Sequence, residues 1–428
     1  MSLAPSSNIK IVYVLLDGVG DLPHYSVNDL TPLEAAYTPH MDSLANNGCM
    51  GQVLSVGKGI APQSDIAVFN MLGYSFKDGS YVGRGVIESI GCGIDFKEGD
   101  LAMRGNFATV NDNSEIVDRR AGRDISKDEA ELICKTLSEK IHFSDKDASV
   151  AIQPTIAHRV GIRFRHTKKK LSEKISNTDP AYDRIDGMGI AKPTTANLRI
   201  GVSEPLEDTM TAKMTAKLVN EFTDQVIKLL RNHPVNDIRS KTGKKPINAI
   251  LCRDSGNRYP NIEPINSKYG INIASIVDMP VEIGISKVLG LRAFKAGDIN
   301  DYERKAKVAA EELKNFNLIY IHIKGPDEFG HDGDAAGKKN SIEDIDKYFF
   351  ATLIKDLKVN DPTVIISADH CTPCVKKSHS DDPVPLLISG NHIKKDKSSR
   401  FTEKYASKGS IGLLMGADVL STAIRMIA

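Results

Sequence analysis

The sequence predicts an α/β protein, a largely parallel core sheet with helices on both faces, interrupted by an inserted α+β module. Three apolar runs carry this reading. Residues 9–16 read IKIVYVLL and end at Asp17; residues 318–323 read LIYIHI, with Asp327 close behind; residues 363–367 read TVIIS and lead into Asp369 and His370. Runs this short, rich in β-branched residues and almost unbroken by polar ones, are the pattern of strands buried on both faces. Each has an acidic residue at or just past its carboxyl end, and open α/β sheets bind ligands outside those ends. Segments remote in sequence can therefore converge on one site.

Helical signals alternate with the strands, as an α/β core requires. Thr38-Pro39 offers an N-cap and a first-turn proline around Met41, Leu44 and Ala45, with Gly48 as a stop. Ile342, Ile345 and Phe349 mark a helix after the second strand. The middle of the chain differs. Ser126 and Glu129 form a capping-box pattern ahead of Ile133, Leu137 and Ile141, and Met214, Leu218, Phe222 and Val226 recur every fourth residue. Strand-like runs lie at 160–164 and 247–252. The expected organisation is a discontinuous core of residues 1–78 and 263–428, with 79–262 as the inserted module.

Composition narrows the function. The 428 residues are 41% hydrophobic and 26% charged with a net charge of +1, the profile of a globular enzyme, and not of a chain built to neutralise nucleic acid or an anionic membrane. No apolar stretch reaches membrane-spanning length, and residues 1–8 are polar with no secretory core. Six scattered cysteines make no disulfide framework, so a cytoplasmic location is expected. Lys168, Lys169 and Lys170 read as a solvated turn. Cys371 and Cys374 form a C-x-x-C without a second pair, which reads as local packing.

Asp327 and His331 stand four apart in KGPDEFGH, a spacing that turns both toward one metal. The stretch SADHCTPCVKKSH supplies Asp369, His370 and His379. With Asp17 these are mixed oxygen and nitrogen ligands, suited to Mn²⁺ first and also to Zn²⁺, Co²⁺ or Mg²⁺, and sufficient for two ions. Taken singly, Asp17 is as well a helix cap and His331 a surface histidine; the shared position at strand ends carries the argument. His322, inside the second run, reads as a packed core histidine. Ser64 opens the helical stretch after GKGIAPQ. It is either a cap, or a nucleophile whose phosphorylated form backbone N–H groups and the helix dipole would favour.

LLDGVGD at 15–21, TPLEAA, APQSD, GPDEFGHDGD and ADHCTPC with HSDDPVPLLISG together resemble the archaeal-type cofactor-independent phosphoglycerate mutases of the alkaline phosphatase superfamily. The resemblance spans nearly the whole chain. It implies an alkaline-phosphatase-like core, one metal held by Asp327, His331 and His379, and another by Asp17, Ser64, Asp369 and His370. It further implies that Ser64 accepts the phosphoryl group of 3-phosphoglycerate and returns it to the 2-hydroxyl, with no need of 2,3-bisphosphoglycerate. DRRAGRD, residues 118–124, resembles a Gly-Arg-Asp segment of the bacterial-type mutases. By that likeness Asp124 is a general base and Arg123 an anion clamp, with His158, Arg159 and Arg253 as further substrate ligands. Asn106 stands near the place of a histidine in those enzymes, and Lys287 is the lysine offered beside the phosphoryl group. The inserted module is expected to act as a lid that excludes water. Rival expectations are a phosphopentomutase, phosphatase or phosphodiesterase on the same core, and a metal-stabilised phosphometabolite-binding protein. The oligomeric state is left open.

Overall fold

Every side chain of strand Ile11–Leu16 is buried, and since alternate residues point to opposite faces, both faces of the sheet there are covered. This strand lies at the middle of an eight-stranded sheet in the computed structural model, which describes residues 9–76, 80–185, 188–191, 198–357 and 361–427. Residues 1–8 and the expected boundary at 78–79 lie outside the described residues. The strand order is Arg292–Phe294, Ile273–Ile276, Leu318–Ile323, Ile11–Leu16, Thr363–Ser367, Val384–Ser389, Gly48–Leu54, Gly412–Met415. Pairing is parallel from Arg292–Phe294 through Thr363–Ser367; Val384–Ser389 runs antiparallel to both its neighbours. The three apolar runs of the sequence are thus adjacent, in register Ile11 with Leu318 and with Thr363.

The chain divides into two units. The first comprises Met1–Ser75, Glu263–Asp278 and Leu289–Ala428; the second comprises Phe76–Ile262 and Met279–Val288. In the first, helix Pro39–Asn46 begins after Thr38 as the sequence predicts, although the Thr38 hydroxyl bonds Asp42 and not the backbone. Gly48 opens a strand instead of following a helix stop, because the helix already ends at Asn46, with Asn47 as its C-cap. Ile342, Ile345 and Phe349 line a buried stripe that runs from helix Ala335–Asp344 into a π-turn at Ile345–Phe350.

The second unit is built on antiparallel strands. Leu101–Val110 pairs on one side with Arg159–His166 and on the other with Ala249–Gly256, and Ala148–Pro154 extends the sheet. Helices Lys127–Lys140 and Met210–Leu230 cover it, with Ile133, Leu137, Leu218, Phe222 and Val226 packed against Ile162 and Phe164. The capping box at Ser126 and Glu129 forms in both directions. Helix Pro280–Val288 rejoins this unit after the chain has left it at Ile262. Gly91 lets it approach: a Cβ there would lie 1.7 Å from the Pro280 carbonyl oxygen.

One buried ion pair fastens the loops at the carboxyl end of the large sheet. Lys338 and Asp21 both have fully buried side chains and meet at 2.7 Å. Lys338 also donates to the carbonyls of Gly20 and Thr372, so one ammonium ties the loop after Ile11–Leu16 to the loop after Thr363–Ser367. Replacing it leaves a buried carboxylate without its cation. Lys338→Met is expected to destabilise the protein by about 3–5 kcal/mol, read as a lower midpoint of urea unfolding. An unchanged midpoint would mean that the pair contributes nothing.

Candidate active site

Register brings the first group of side chains together. The Asp17 amide donates to the Ile323 carbonyl at 2.9 Å, continuing the parallel ladder one residue past both strands. The Gly18 amide donates to Asp369 Oδ1 at 3.1 Å, and the Thr372 amide to the Gly20 carbonyl at 3.0 Å. Asp327 and His331 sit one turn apart on helix Pro326–Asp332, with Asp327 in its first turn and His331 in its last.

Asp327, His331 and His379 form one cluster. His331 Nε2 lies 3.6 Å from Asp327 and His379 Nε2 lies 3.5 Å from it. The two Nε2 atoms face each other at 3.2 Å. Their other nitrogens point at carbonyl oxygens, His331 Nδ1 at Lys377 (3.2 Å) and His379 Nδ1 at Pro62 (2.6 Å), and a carbonyl only accepts. Each Nδ1 therefore carries a proton, and two neutral rings would set lone pair against lone pair. A cation beside Asp327 resolves this, and the donor set of one carboxylate and two imidazoles suits a divalent ion. Burial and the charge of Asp17 oppose ionisation of Asp327, but His379 and His370 hold its carboxyl well below the usual range.

The second cluster is Asp17, Asp369, His370 and Ser64. His370 Nε2 lies 3.3 Å from Asp369, 3.6 Å from Asp17 and 3.2 Å from Ser64 Oγ. Asp17 Oδ1 and Asp369 Oδ2 are buried with no hydrogen-bond partner among the described residues. Burial works against charge on Asp17; Lys324, then His322 and His370, keep it ionised well below the usual range. Burial and that Asp17 charge push Asp369 up to about 7. Two buried carboxylates, each with an unpartnered oxygen, again fit a cation. His370 stands between the clusters, stacked on His379 with ring centroids 3.7 Å apart and with Nδ1 4.0 Å from Asp327.

Ser64 is not a cap. Gln63 occupies that position, and Ser64 is the first residue of helix Ser64–Met71. Its hydroxyl, half-buried, faces His370 at the positive end of the helix dipole.

Two neighbours escaped the sequence reading. Lys324 Nζ lies 2.9 Å from Asp17 Oδ2. Lys287, the lysine offered beside the phosphoryl group, donates to the Ile90 carbonyl within the second unit, to which its helix belongs. The signal for Lys324 was its place in KGPDEFGH, one residue past a strand. His322 is fully buried as expected, but it does more than pack: its Nε2 is 3.7 Å from both Asp17 and Asp369. Its mark was a polar ring at the carboxyl end of an apolar strand. Cys371 and Cys374 are free thiols; burial raises both, Cys374 to about 12, which makes them poor nucleophiles or ligands. A third cluster, Asp145, Asp147 and His166, belongs to the second unit. There His166 Nδ1 accepts from the amides of Lys168 and Lys169, so Nε2 is protonated toward Asp145; the ring locks the exposed lysine turn.

The substrate-side candidates lie in the second unit and form an arginine-rich cluster. His158 is buried, with Nδ1 lacking a hydrogen-bond partner. Burial first, then the charges of Arg159, Arg104, Arg123 and Arg253, depress it to about 3. Arg253 bonds Asp179 at 2.7 Å and lies 4.1 Å over the Tyr182 ring; Arg119 bonds the same carboxylate. Asn106, with its amide oxygen turned to Arg253, lies 3.3 Å from it. Burial opposes the charge on Glu88, and Arg104, Arg84 and Arg159 outweigh burial to bring it down to about 2. Arg104 itself is lowered to about 9 by burial and by Arg84. It was missed although it interrupts the buried strand Leu101–Val110. Asp124 is exposed and bonds Arg239 at 2.6 Å, a contact that lowers its carboxyl. Backbone strain collects in the same region: Ala121, Arg123, Ala157 and Asp254 have φ of 43°, 60°, 53° and 58°. Each such residue costs about 1–3 kcal/mol and marks a place where geometry is held against local preference.

Similarity to known proteins agrees with this chemistry. The family model described as 2,3-bisphosphoglycerate-independent phosphoglycerate mutase matches residues 45–236. A protein of that name from Aeropyrum pernix is 39% identical over 418 residues, covering 95% of this chain and 97% of that one. Another of that name, numbered 1, from Methanocaldococcus jannaschii is 34% identical over 417 residues, covering 96% and 95%. A solved structure of a Pyrococcus horikoshii protein superposes with a TM-score of 0.78 at 27% identity, covering 99% of this chain and 98% of that one. The cofactor-independent phosphoglycerate mutase of Thermoplasma acidophilum gives 0.65 at 26%, covering 98% and 100%. The chain belongs to the 2,3-bisphosphoglycerate-independent phosphoglycerate mutases.

Proposed function

We propose that this protein interconverts 3-phosphoglycerate and 2-phosphoglycerate through a phosphoserine at Ser64, without 2,3-bisphosphoglycerate. The observation that carries this reading is the Ser64 hydroxyl, unused as a cap and 3.2 Å from His370 Nε2 beside two buried carboxylates. Asp327, His331 and His379 would hold one divalent ion, and Asp17, Asp369, His370 and Ser64 the other, Mn²⁺ being the ion best suited to this mix. Such ions, when bound, lower the hydroxyl pKa and offset phosphoryl charge.

The chain's own groups then have assignable work. The Ser64 hydroxyl gives up its proton as Oγ attacks phosphorus, the bond to the 3-oxygen of the substrate breaks, and that oxygen takes up one proton in exchange, so that glycerate leaves as a hydroxy acid with no net proton gained or lost. The 2-hydroxyl next attacks the phosphoserine and gives its proton to Asp124, the bond from phosphorus to the Ser64 oxygen breaks, and a proton returns to that oxygen as Asp124 gives one up, which regenerates the serine hydroxyl and the carboxylate. Lys324 supplies positive charge beside the phosphoryl group. Arg123, Arg159 and Arg253 hold the carboxylate and phosphate of the substrate, and Asp124, kept ionised by Arg239, is ready to accept a proton. Neutral His158 offers a hydrogen bond without adding to the positive charge around it.

Two outcomes are expected. Incubation with 3-phosphoglycerate and Mn²⁺ but no bisphosphoglycerate should yield 2-phosphoglycerate in an enolase-coupled assay, with phosphate on the Ser64 peptide in mass spectra. Ser64→Ala should abolish that label and cut turnover by at least ~10³-fold. Release of inorganic phosphate in place of 2-phosphoglycerate would sink the mutase reading.

The second concerns pH. His158 has its folded pKa depressed to about 3, so the fold prefers the neutral ring. Its contribution to stability is fully present above the unfolded value near 6.5 and is lost as pH falls from there toward 3. His158→Asn should therefore show a shallower decline of Tm between pH 6.5 and 4 than the parent protein. Parallel declines would contradict the neutral assignment.

A further inference from the structure

Thr372 lies just past the ligands Asp369 and His370 and is fully buried. Its hydroxyl is 2.6 Å from Asp327 Oδ1 and 3.0 Å from His370 Nδ1. These two partners belong to different clusters. We infer that Thr372 is the positioning residue that joins the two metal sites and decides to which of them His370 belongs.

The argument is a count of protons. A hydroxyl has one proton to give. An ionised carboxylate only accepts, so the Thr372 proton goes to Asp327. The remaining short contact must then be His370 Nδ1–H donating to the Thr372 oxygen. Nδ1 is thereby protonated and turned away from ligation. Nε2 is left with its lone pair directed at Ser64, Asp369 and Asp17. Proximity alone leaves His370 between the clusters; the hydroxyl assigns it to the serine cluster. Meanwhile the bond to Asp327 fixes the rotation of the carboxylate that serves the other cluster.

The threonine is itself held in place. Its amide donates to the Gly20 carbonyl at 3.0 Å, and its carbonyl accepts from Lys338 at 2.9 Å. Gly18 makes the room, with φ +58° and an added Cβ that would lie 2.7 Å from both the Thr372 hydroxyl and Asp327 Oδ1. Serine keeps the donor and acceptor. Valine keeps the shape and loses both.

This inference rests on the two-metal reading, and one titration separates them. Metal-free parent protein, Thr372→Val and Thr372→Ser are titrated with Mn²⁺ alone, followed by calorimetry and by electron paramagnetic resonance of the free ion. The parent should bind two ions. Thr372→Val should lose roughly 10–100-fold in affinity at both sites, the usual effect of removing a hydrogen-bonded support of metal ligands, and Thr372→Ser should recover most of it. Turnover of Thr372→Val should return toward the parent value at saturating Mn²⁺. A valine variant that binds two ions as tightly as the parent would overturn the inference alone. A parent that binds no Mn²⁺ would overturn the metal reading and the inference with it. A measurement on the parent needs no stable variant: with ¹⁵N-labelled histidine, the His370 ring of the metal-free protein should carry its proton on Nδ1. A proton on Nε2 would refute the assignment.

Discussion

Two buried carboxylates that share one end of a sheet set the terms for the rest of the first unit. Asp17 and Asp369 follow adjacent parallel strands whose register places them side by side, and each has a buried oxygen with no hydrogen-bond partner among the described residues. Charge of this kind costs several kcal/mol per ion in a protein interior unless something opposes it. Lys324 opposes part of it, and the rest calls for a bound cation. Much of the surrounding structure serves this arrangement. Every side chain of the central strands is buried, so the strand ends have no freedom to relax apart. Lys338 ties the following loops, and the Asp17 amide extends the ladder by one more bond.

The second unit meets the opposite difficulty. Arg84, Arg104, Arg119, Arg123, Arg159 and Arg253 gather with Glu88, Asp179 and Asp254 as the buried carboxylates among them. Glu88 and Asp179 each serve more than one guanidinium, and His158 is held neutral by the crowd. Among these named groups the guanidiniums outnumber the carboxylates, and the backbone is left-handed at Ala121, Arg123, Ala157 and Asp254 in the same unit. Repulsion among these groups is a standing cost to stability. An anion with a carboxylate and a phosphate, the substrate proposed for this chain, would relieve it, and part of its affinity would then be the release of that repulsion.

Legibility from sequence followed the same division. The core strands and their terminal acids could be read because burial on both faces leaves an uninterrupted apolar run, and the acid ends it visibly. Asp17, Asp327, His331, Asp369, His370 and His379 come together as the motifs implied. Ser64 could not be decided locally, since a cap and a nucleophile at a helix start have the same spelling; only the fold shows Gln63 at the cap position. The roles of Lys324, His322 and Thr372 were hard to read for a different reason. Each is a common residue whose role depends on what another segment places opposite it. Arg104 sits in a wholly buried strand, where its partners come from segments far along the chain. Helix Pro280–Val288 carries no local mark that it rejoins the second unit, because that depends on Gly91 clearing its path.

The two imbalances differ in how lastingly each can be relieved. The first unit lacks positive charge at a place walled by strands and loops, where protons on Nδ1 of His331, His379 and His370 are all committed to oxygen acceptors. With Nδ1 committed in that way, Nε2 is the nitrogen each ring has left for an ion, which suits one that stays through many turnovers. The second unit gathers arginines around exposed Arg123, whose backbone is left-handed, and half-buried Arg159. That suits a ligand that comes and goes. A phosphoryl carrier of the kind proposed would call for both properties in one chain: rigid donors around Ser64, and a more yielding cationic cluster for the acid. The hydroxyl of Thr372 belongs to the rigid half. By fixing one proton it keeps both sets of metal ligands in a single, shared arrangement.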